Sequence, residues 1–254
     1  MLVLNIVTSA NLLLLFCILF FRKNNPLPNK ILAFILVNPA INFLSNVNIL
    51  AGNLANLPYI YFFAQTTCFL FAPLVHMYVQ LMSGKRINWK YPLYFASLGG
   101  MVLNLYYTLT FAWGMPPAEK EAYLYGLLNG PYPDPMVIIN SVFILIQQIY
   151  FTITAIEVYR YRKLLSNRLS SYDKTKAVYI TRFIELIWLL NIVTLVLYAT
   201  LPMIMVEYII LPVVLTVIYL FVFYFSFHHH SVFTNATYQV FLTDHAPVHK
   251  SPEN

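Results

Sequence analysis

Hydrophobic residues along this chain come in blocks of about twenty, the length that a helix rising 1.5 Å per residue needs to cross a hydrocarbon core roughly 30 Å thick. Seven blocks, separated by short polar stretches, predict spans over about residues 2–21, 31–52, 59–82, 93–113, 136–156, 183–203 and 208–227. The expected fold is an all-α membrane protein: a seven-transmembrane-helix bundle over residues 1–230, followed by a polar tail over residues 231–254.

The polar stretches orient the bundle. No positive charge precedes Leu2 to Phe21, and Arg22, Lys23 and Lys30 follow it, so an uncleaved first span with its N-terminus outside is expected. Lys85, Arg86 and Lys90 mark a second inner loop. The third, Glu157 to Arg182, carries seven basic residues against two acids, Glu157 and Asp173. Clustered Lys and Arg beside spans resist translocation and are drawn to an anionic inner leaflet. Lys120 is the only basic residue on the outer side, in the Pro- and Tyr-rich loop from Gly114 to Pro135 that reads as part of an interfacial aromatic belt. The C-terminus is therefore expected in the cytoplasm.

No Gly or Pro interrupts the fifth block until well past Arg168, and Ser170 followed by Asp173 fits a helix N-terminal cap. The fifth and sixth helices are thus expected to protrude as a hairpin. Arg160, Arg162, Lys163, Arg168, Arg182 and Glu185 are its candidate topology and relay residues, with Glu185 expected to pair with Arg182.

Polar residues inside the spans supply the candidate binding site. Asn38, Asn42 and Asn46 recur every four residues, which places three amides on one helical face. In lipid that face must meet other helices or a wet cavity, as interhelical hydrogen-bond glue worth about 0.6 kcal/mol per contact or as a ligand pocket. Gln65, Phe69, Ala72, His76 and Gln80 share a face of the third span, where Pro73 predicts a kink. His76, the only histidine within a span, reads first as a satisfied hydrogen-bonding residue and second as a proton relay. Asn140 and Gln147 lie seven residues apart on the fifth span, and Gly99 and Gly100 predict close helix approach in the fourth. The ligand-binding candidates are Asn38, Asn42, Gln65, His76, Asn140 and Gln147.

Composition narrows the classes further. The chain is 60% hydrophobic and 9% charged, against about 25% charged in soluble proteins. Its net charge of +6 follows membrane topology and forms no basic domain that could grip nucleic acid. Cys17 and Cys68 sit in apolar runs as packing residues. There is no paired-acid, Ser–His or His-Glu-x-x-His constellation and no lysine in the last span for a retinal Schiff base. The histidines His228, His229 and His230 are adjacent in sequence, without the converging geometry of a metal site. No catalytic residue, metal or cofactor is expected. The third span ends in HMYVQLM and the seventh reads ILPVVLTVIY, so a rhodopsin-type receptor is not indicated.

Four segments carry a family resemblance: NKILAFILV (Asn29 to Val37), FAPLVHMYVQLMSG (Phe71 to Gly84), VYRYRKLLSNRLSSYDK (Val158 to Lys174) and the pair Trp188–Leu189. Together they resemble the N-terminal seven-span region of AraC-type transcriptional regulators of the Bacteroidetes. His76 stands where that group has an aromatic residue. The resemblance implies a sensor region in a bacterial inner (cytoplasmic) membrane, coupled to a cytoplasmic helix-turn-helix domain. The chain stops at Asn254 after a polar tail, so the expectation is the sensor without its DNA-binding domain and without direct nucleic-acid contact. Its expected partners are the bilayer, an unidentified ligand and a cytoplasmic output domain or protein, with a homodimer left open. The competing readings are a small-molecule transporter or channel, and a membrane assembly subunit.

Overall fold

Each hydrophobic block folds as helix, and no strand forms among the described residues of the computed structural model, which are 1–23, 25–53, 58–83, 87, 92–116, 118–119, 122, 134–166, 171–201 and 205–228. In chain order the helices are α1 (Leu2–Phe20), α2 (Leu27–Leu50), α3 (Pro58–Cys68), α4 (Phe71–Met82), α5 (Pro92–Gly114), α6 (Asp134–Ser166), α7 (Ser171–Thr200) and α8 (Leu211–His228), with a π-helical turn at Val206–Ile210 leading into α8. Four stretches among the described residues are long and apolar enough to cross a membrane: Leu2–Phe20, Leu27–Leu50, Tyr59–Met82 and Ser141–Arg160.

Local chemistry sets the helix ends. Pro26 in extended conformation precedes α2, and Pro28 falls in its first turn, where a missing N–H costs nothing. At the other end Gly52 adopts φ +73°. The Gly52 N–H bonds the Ile49 carbonyl at 3.0 Å and the Asn53 N–H bonds that of Asn48 at 3.1 Å. This is a Schellman ending, and only the left-handed residue allows it.

The third block departs from expectation. A single kinked helix was predicted, but α3 and α4 are separate, joined by a turn at Phe69–Leu70. Pro73 has no N–H to offer the Phe69 carbonyl four residues earlier. The turn tightens instead: the Phe69 and Leu70 N–H groups bond carbonyls three residues back, at Thr66 (3.4 Å) and Thr67 (3.0 Å). The Thr66 and Thr67 hydroxyls donate back to the carbonyls of Phe62 and Ala64, which bends a helix further.

The predicted hairpin is present as two long helices. At 33 residues α6 extends about 50 Å, well beyond a hydrocarbon core. Its partner α7 begins at Ser171 and runs for 30 residues. Ser170, Arg168, the inner-loop residues Lys85, Arg86 and Lys90, most of the Gly114–Pro135 loop and the 231–254 tail lie outside the described residues, as does the side chain of Asp173.

The helices close into a ring. α1 packs on α2 and α8, α2 on α3 and α4, α4 on α6, α6 on α7, and α7 on the π turn and α8, while α5 lies against α3 and α6. Its core is unusually aromatic, with Tyr78, Tyr150, Tyr208, Phe62 and Phe151 fully buried. Gly100 of α5 is one reason the packing is close: a Cβ there would stand 2.5 Å from the Phe69 ring, whereas Gly99 faces open space.

Candidate functional site

A cavity of about 250 Å³ lies inside this ring. Its wall is built from α2, α3, the start of α4, α6, α7, the π turn and α8, so most of the ring meets at one place. Four of the six predicted ligand-binding residues line it: Asn38 and Asn42 from α2, Gln65 from α3 and Gln147 from α6. The side chain of Asn140, the fifth, lies outside the described residues.

His76, the sixth, is not in the wall. It is fully buried on α4, with its ring beside those of Tyr94 and Tyr150. Its Nδ1 lies 2.9 Å from Thr154 Oγ1 and its Nε2 lies 2.9 Å from Gln80 Nε2. The Thr154 hydroxyl also donates to the Tyr150 carbonyl, one turn back on α6. These contacts make His76 a satisfied interhelical link between α4 and α6.

Asparagines do two jobs on the α2 face. Asn42 donates to the Asn38 carbonyl (3.0 Å) and to Cys68 Sγ (3.2 Å), tying α2 to α3. Asn46 reaches the Glu207 carbonyl at 3.2 Å and Asn5 Oδ1 at 3.3 Å. All three asparagines line the cavity or its edge, so glue and pocket wall are the same face.

The partner of Asn46 exists because of backbone chemistry in the π turn. The Leu211 N–H bonds the Val206 carbonyl, five residues back, and is lost to Glu207. Pro212 has no N–H for either Glu207 or Tyr208. Asn46 satisfies Glu207, and Asn5 Nδ2 satisfies Tyr208 at 3.1 Å in a buried bond across 203 residues. Beside it, the hydroxyls of Thr8 and Thr216 meet at 3.0 Å and Ser9 donates to the Ala40 carbonyl at 2.9 Å.

On the opposite wall Asn191 of α7 donates to Gln147 Oε1 at 3.0 Å and accepts from Gln148, both on α6. Nearer the start of α7 Arg182 and Glu185 form the expected ion pair at 2.9 Å. Both partners are exposed, which limits its worth to under about 1 kcal/mol. Arg160 and Lys163 are exposed on α6, and the side chain of Arg162 lies outside the described residues.

Asn5, Thr8, Ser9, Asn191 and Glu207 are structural contributors that the pattern of the spans does not single out, and Cys68, expected only to pack, also meets Asn42. The first three did leave a trace: Asn5, Thr8, Ser9 and Leu12 follow helical spacing and all are buried. No group of three His, Cys, Asp or Glu that could hold a metal occurs among the described residues.

No protein family, no curated protein and no solved structure matches the chain. The likeness to AraC-type regulators rests on its four short segments alone.

Proposed function

We propose that the chain is a membrane sensor region in which a small ligand in the central cavity biases the packing of α6 against α7. In this reading seven spans cross a bacterial inner membrane with the N-terminus outside and the C-terminus inside. The observation that carries it is the shared wall: Gln147 and Asn191 meet in the cavity on the same two helices that run on into the basic segment from Glu157 to Arg182. A ligand competing for those amides acts at one end of a rigid pair whose other end would face the cytoplasm. The response requires two packings separated by a few kcal/mol and a ligand that favours one. A regulator-like output domain or protein would read the hairpin.

Filling the cavity should mimic a ligand. Thr194 lines it, and Val193, next to it on α7, is exposed on the outside of the bundle. Thr194→Phe is expected to change amide hydrogen exchange across residues 157–182 in the full chain, and Val193→Phe is expected to leave it unchanged; Asn191→Leu provides a second, smaller perturbation. Identical exchange in all three would sink the sensor reading.

A transporter is the second reading, and one observation favours it. Two helix discontinuities border the cavity, at Phe69–Leu70 through Cys68 and Phe71, and at the π turn through Glu207 and Leu211. Broken helices at a polar midpoint are a recurring way to build a transport site. Solute uptake into proteoliposomes that Asn42→Leu abolishes would decide for it.

A further inference from the structure

We propose that the cavity takes an uncharged amphiphile out of the bilayer, an alcohol with a medium-length hydrocarbon body, admitted between α7 and α8 and held at its polar end by Ser45. This rests on the cavity being a ligand site and on α7 and α8 crossing the bilayer, and adds the ligand's chemical class and its route.

The route follows from where the ring is weakest. Among neighbouring helices around the ring, the loosest joint is the one between α7 and α8. Burial along α7 changes in the same sense. Phe183, Ile184 and Ile187 are buried in the core, but beyond Ile187 no side chain of α7 among the described residues is buried. That half of the helix still forms cavity wall, through Leu190, Asn191 and Thr194, all only half-buried. The α8 side of the wall, at Leu211 and Leu215, is half-buried as well. Few buried apolar contacts hold this joint, so it is the part of the ring that opens at least cost.

The lipid side of the joint selects against charge. Val193 and Val196 of α7 and Val217 and Leu220 of α8 are exposed apolar residues. Bringing a charged head group through hydrocarbon is costly, whereas a lone hydroxyl costs far less. The wall also includes no Lys, Arg or His among the described residues, so an anion would meet no cationic partner inside.

Within the cavity, Ser45 is the group that lacks a partner. It is part of the wall and 2% exposed, and its Oγ has no hydrogen-bond partner among the described residues. Helical Ser and Thr hydroxyls commonly bond the carbonyl one turn back, as Thr66 and Thr216 do here. A buried hydroxyl left without a partner is destabilising until something completes it. An alcohol both donates and accepts, so it matches Ser45 whichever way that hydroxyl rotates. Size agrees. An apolar cavity of about 150 Å³ holds benzene, so 250 Å³ has room for roughly ten non-hydrogen atoms. Phe43, Phe71, Phe143 and Leu215 line the space for a hydrocarbon body.

Cys68 is a reporter already in the wall, and Cys17 is exposed on α1. In the full-length Cys17→Ser protein in lipid vesicles, Cys68 modification is timed with methyl methanethiosulfonate, which is uncharged, and with its aminoethyl (cationic) and sulfonatoethyl (anionic) analogues, each normalised to a free small thiol. Both charged reagents are expected to react more slowly than the methyl reagent by about tenfold or more. Octanol should slow the methyl reaction at a membrane content about tenfold below the content at which octane does, the effect of one buried hydrogen bond completed. Neither octanoate nor octylammonium should match octanol. Ser45→Ala should erase most of the difference between octanol and octane.

Charged reagents as fast as the methyl reagent, octane protecting as well as octanol, equal protection by octanoate or octylammonium, or an unchanged octanol–octane difference in Ser45→Ala would each overturn the assignment. The exchange response to Thr194→Phe is read with no ligand present, so the ligand class and the sensor reading fail separately.

Discussion

Asn5 illustrates how a residue acquires a role that its own neighbourhood does not announce. It sits one turn into α1, fully buried, and donates to the Tyr208 carbonyl, to which Pro212 has no N–H to offer. Removing a donor from a buried carbonyl costs about 1–3 kcal/mol, more than the net worth of an average hydrogen bond. Asn5→Ala is therefore expected to lower the melting temperature of the purified protein by that equivalent. The loss should shrink by at least about half in a Pro212→Ala background, because the alanine restores an N–H to the same turn and the two sites are coupled. Equal losses in both backgrounds would show that Asn5 acts elsewhere. Helical spacing made the Asn5–Thr8–Ser9 face legible in principle. Its partner was not, because an acceptor made by a proline and a π turn some two hundred residues away leaves no mark on the first span.

At the level of elements, the lengths of the helices follow from the sequence and their breaks do not. The α6–α7 hairpin could be anticipated because nothing in that stretch interrupts a helix, and the ends of α2 because Pro26, Pro28 and Gly52 punctuate it. The face from Gln65 to Gln80 assumed one continuous period of 3.6 residues. The turn at Phe69–Leu70 resets that period, which leaves Gln65 on the cavity and takes His76 to a separate link with Thr154. Pro73 signals a disturbance upstream, but the choice between a kink and a break is made by what packs against it. Here Phe69 fills the space over Gly100 and meets the ring of Phe143 at a centroid distance of 5.0 Å. Gly100→Ala should push on that ring and cost about 1–3 kcal/mol, the usual penalty for overpacking. Gly99→Ala faces open space and should be neutral or slightly stabilising. A thermal-melt comparison of the two alanine variants checks this, and equal effects would mean that the α5 contact at Phe69 is loose.

The whole molecule is a ring closed by its two ends, since α1 meets both α2 and α8, with the cavity in the middle. That closure makes the polar faces intelligible: amides on α2, α3, α6 and α7 turn toward one space, while Leu14, Leu103, Leu145 and Val217 stay exposed for lipid. Which way the ring faces is governed by charge and not by packing. Seven basic residues between Glu157 and Arg182 outweigh every other polar stretch, and basic residues close to span ends set orientation. A phosphatase reporter that works only outside the cytoplasm should be active when inserted at Gly52 and silent when inserted between Ser166 and Ser171. Replacing the basic residues of the hairpin by glutamine should raise the second signal. The opposite pattern in the unaltered chain would turn the bundle over, place the α6–α7 extension outside and leave a cytoplasmic partner nothing to read. The cavity would then remain a candidate binding site, but its occupancy could reach the cytoplasm only through the other end of the bundle, where α2 closes on Gly52 and the π turn meets Asn46.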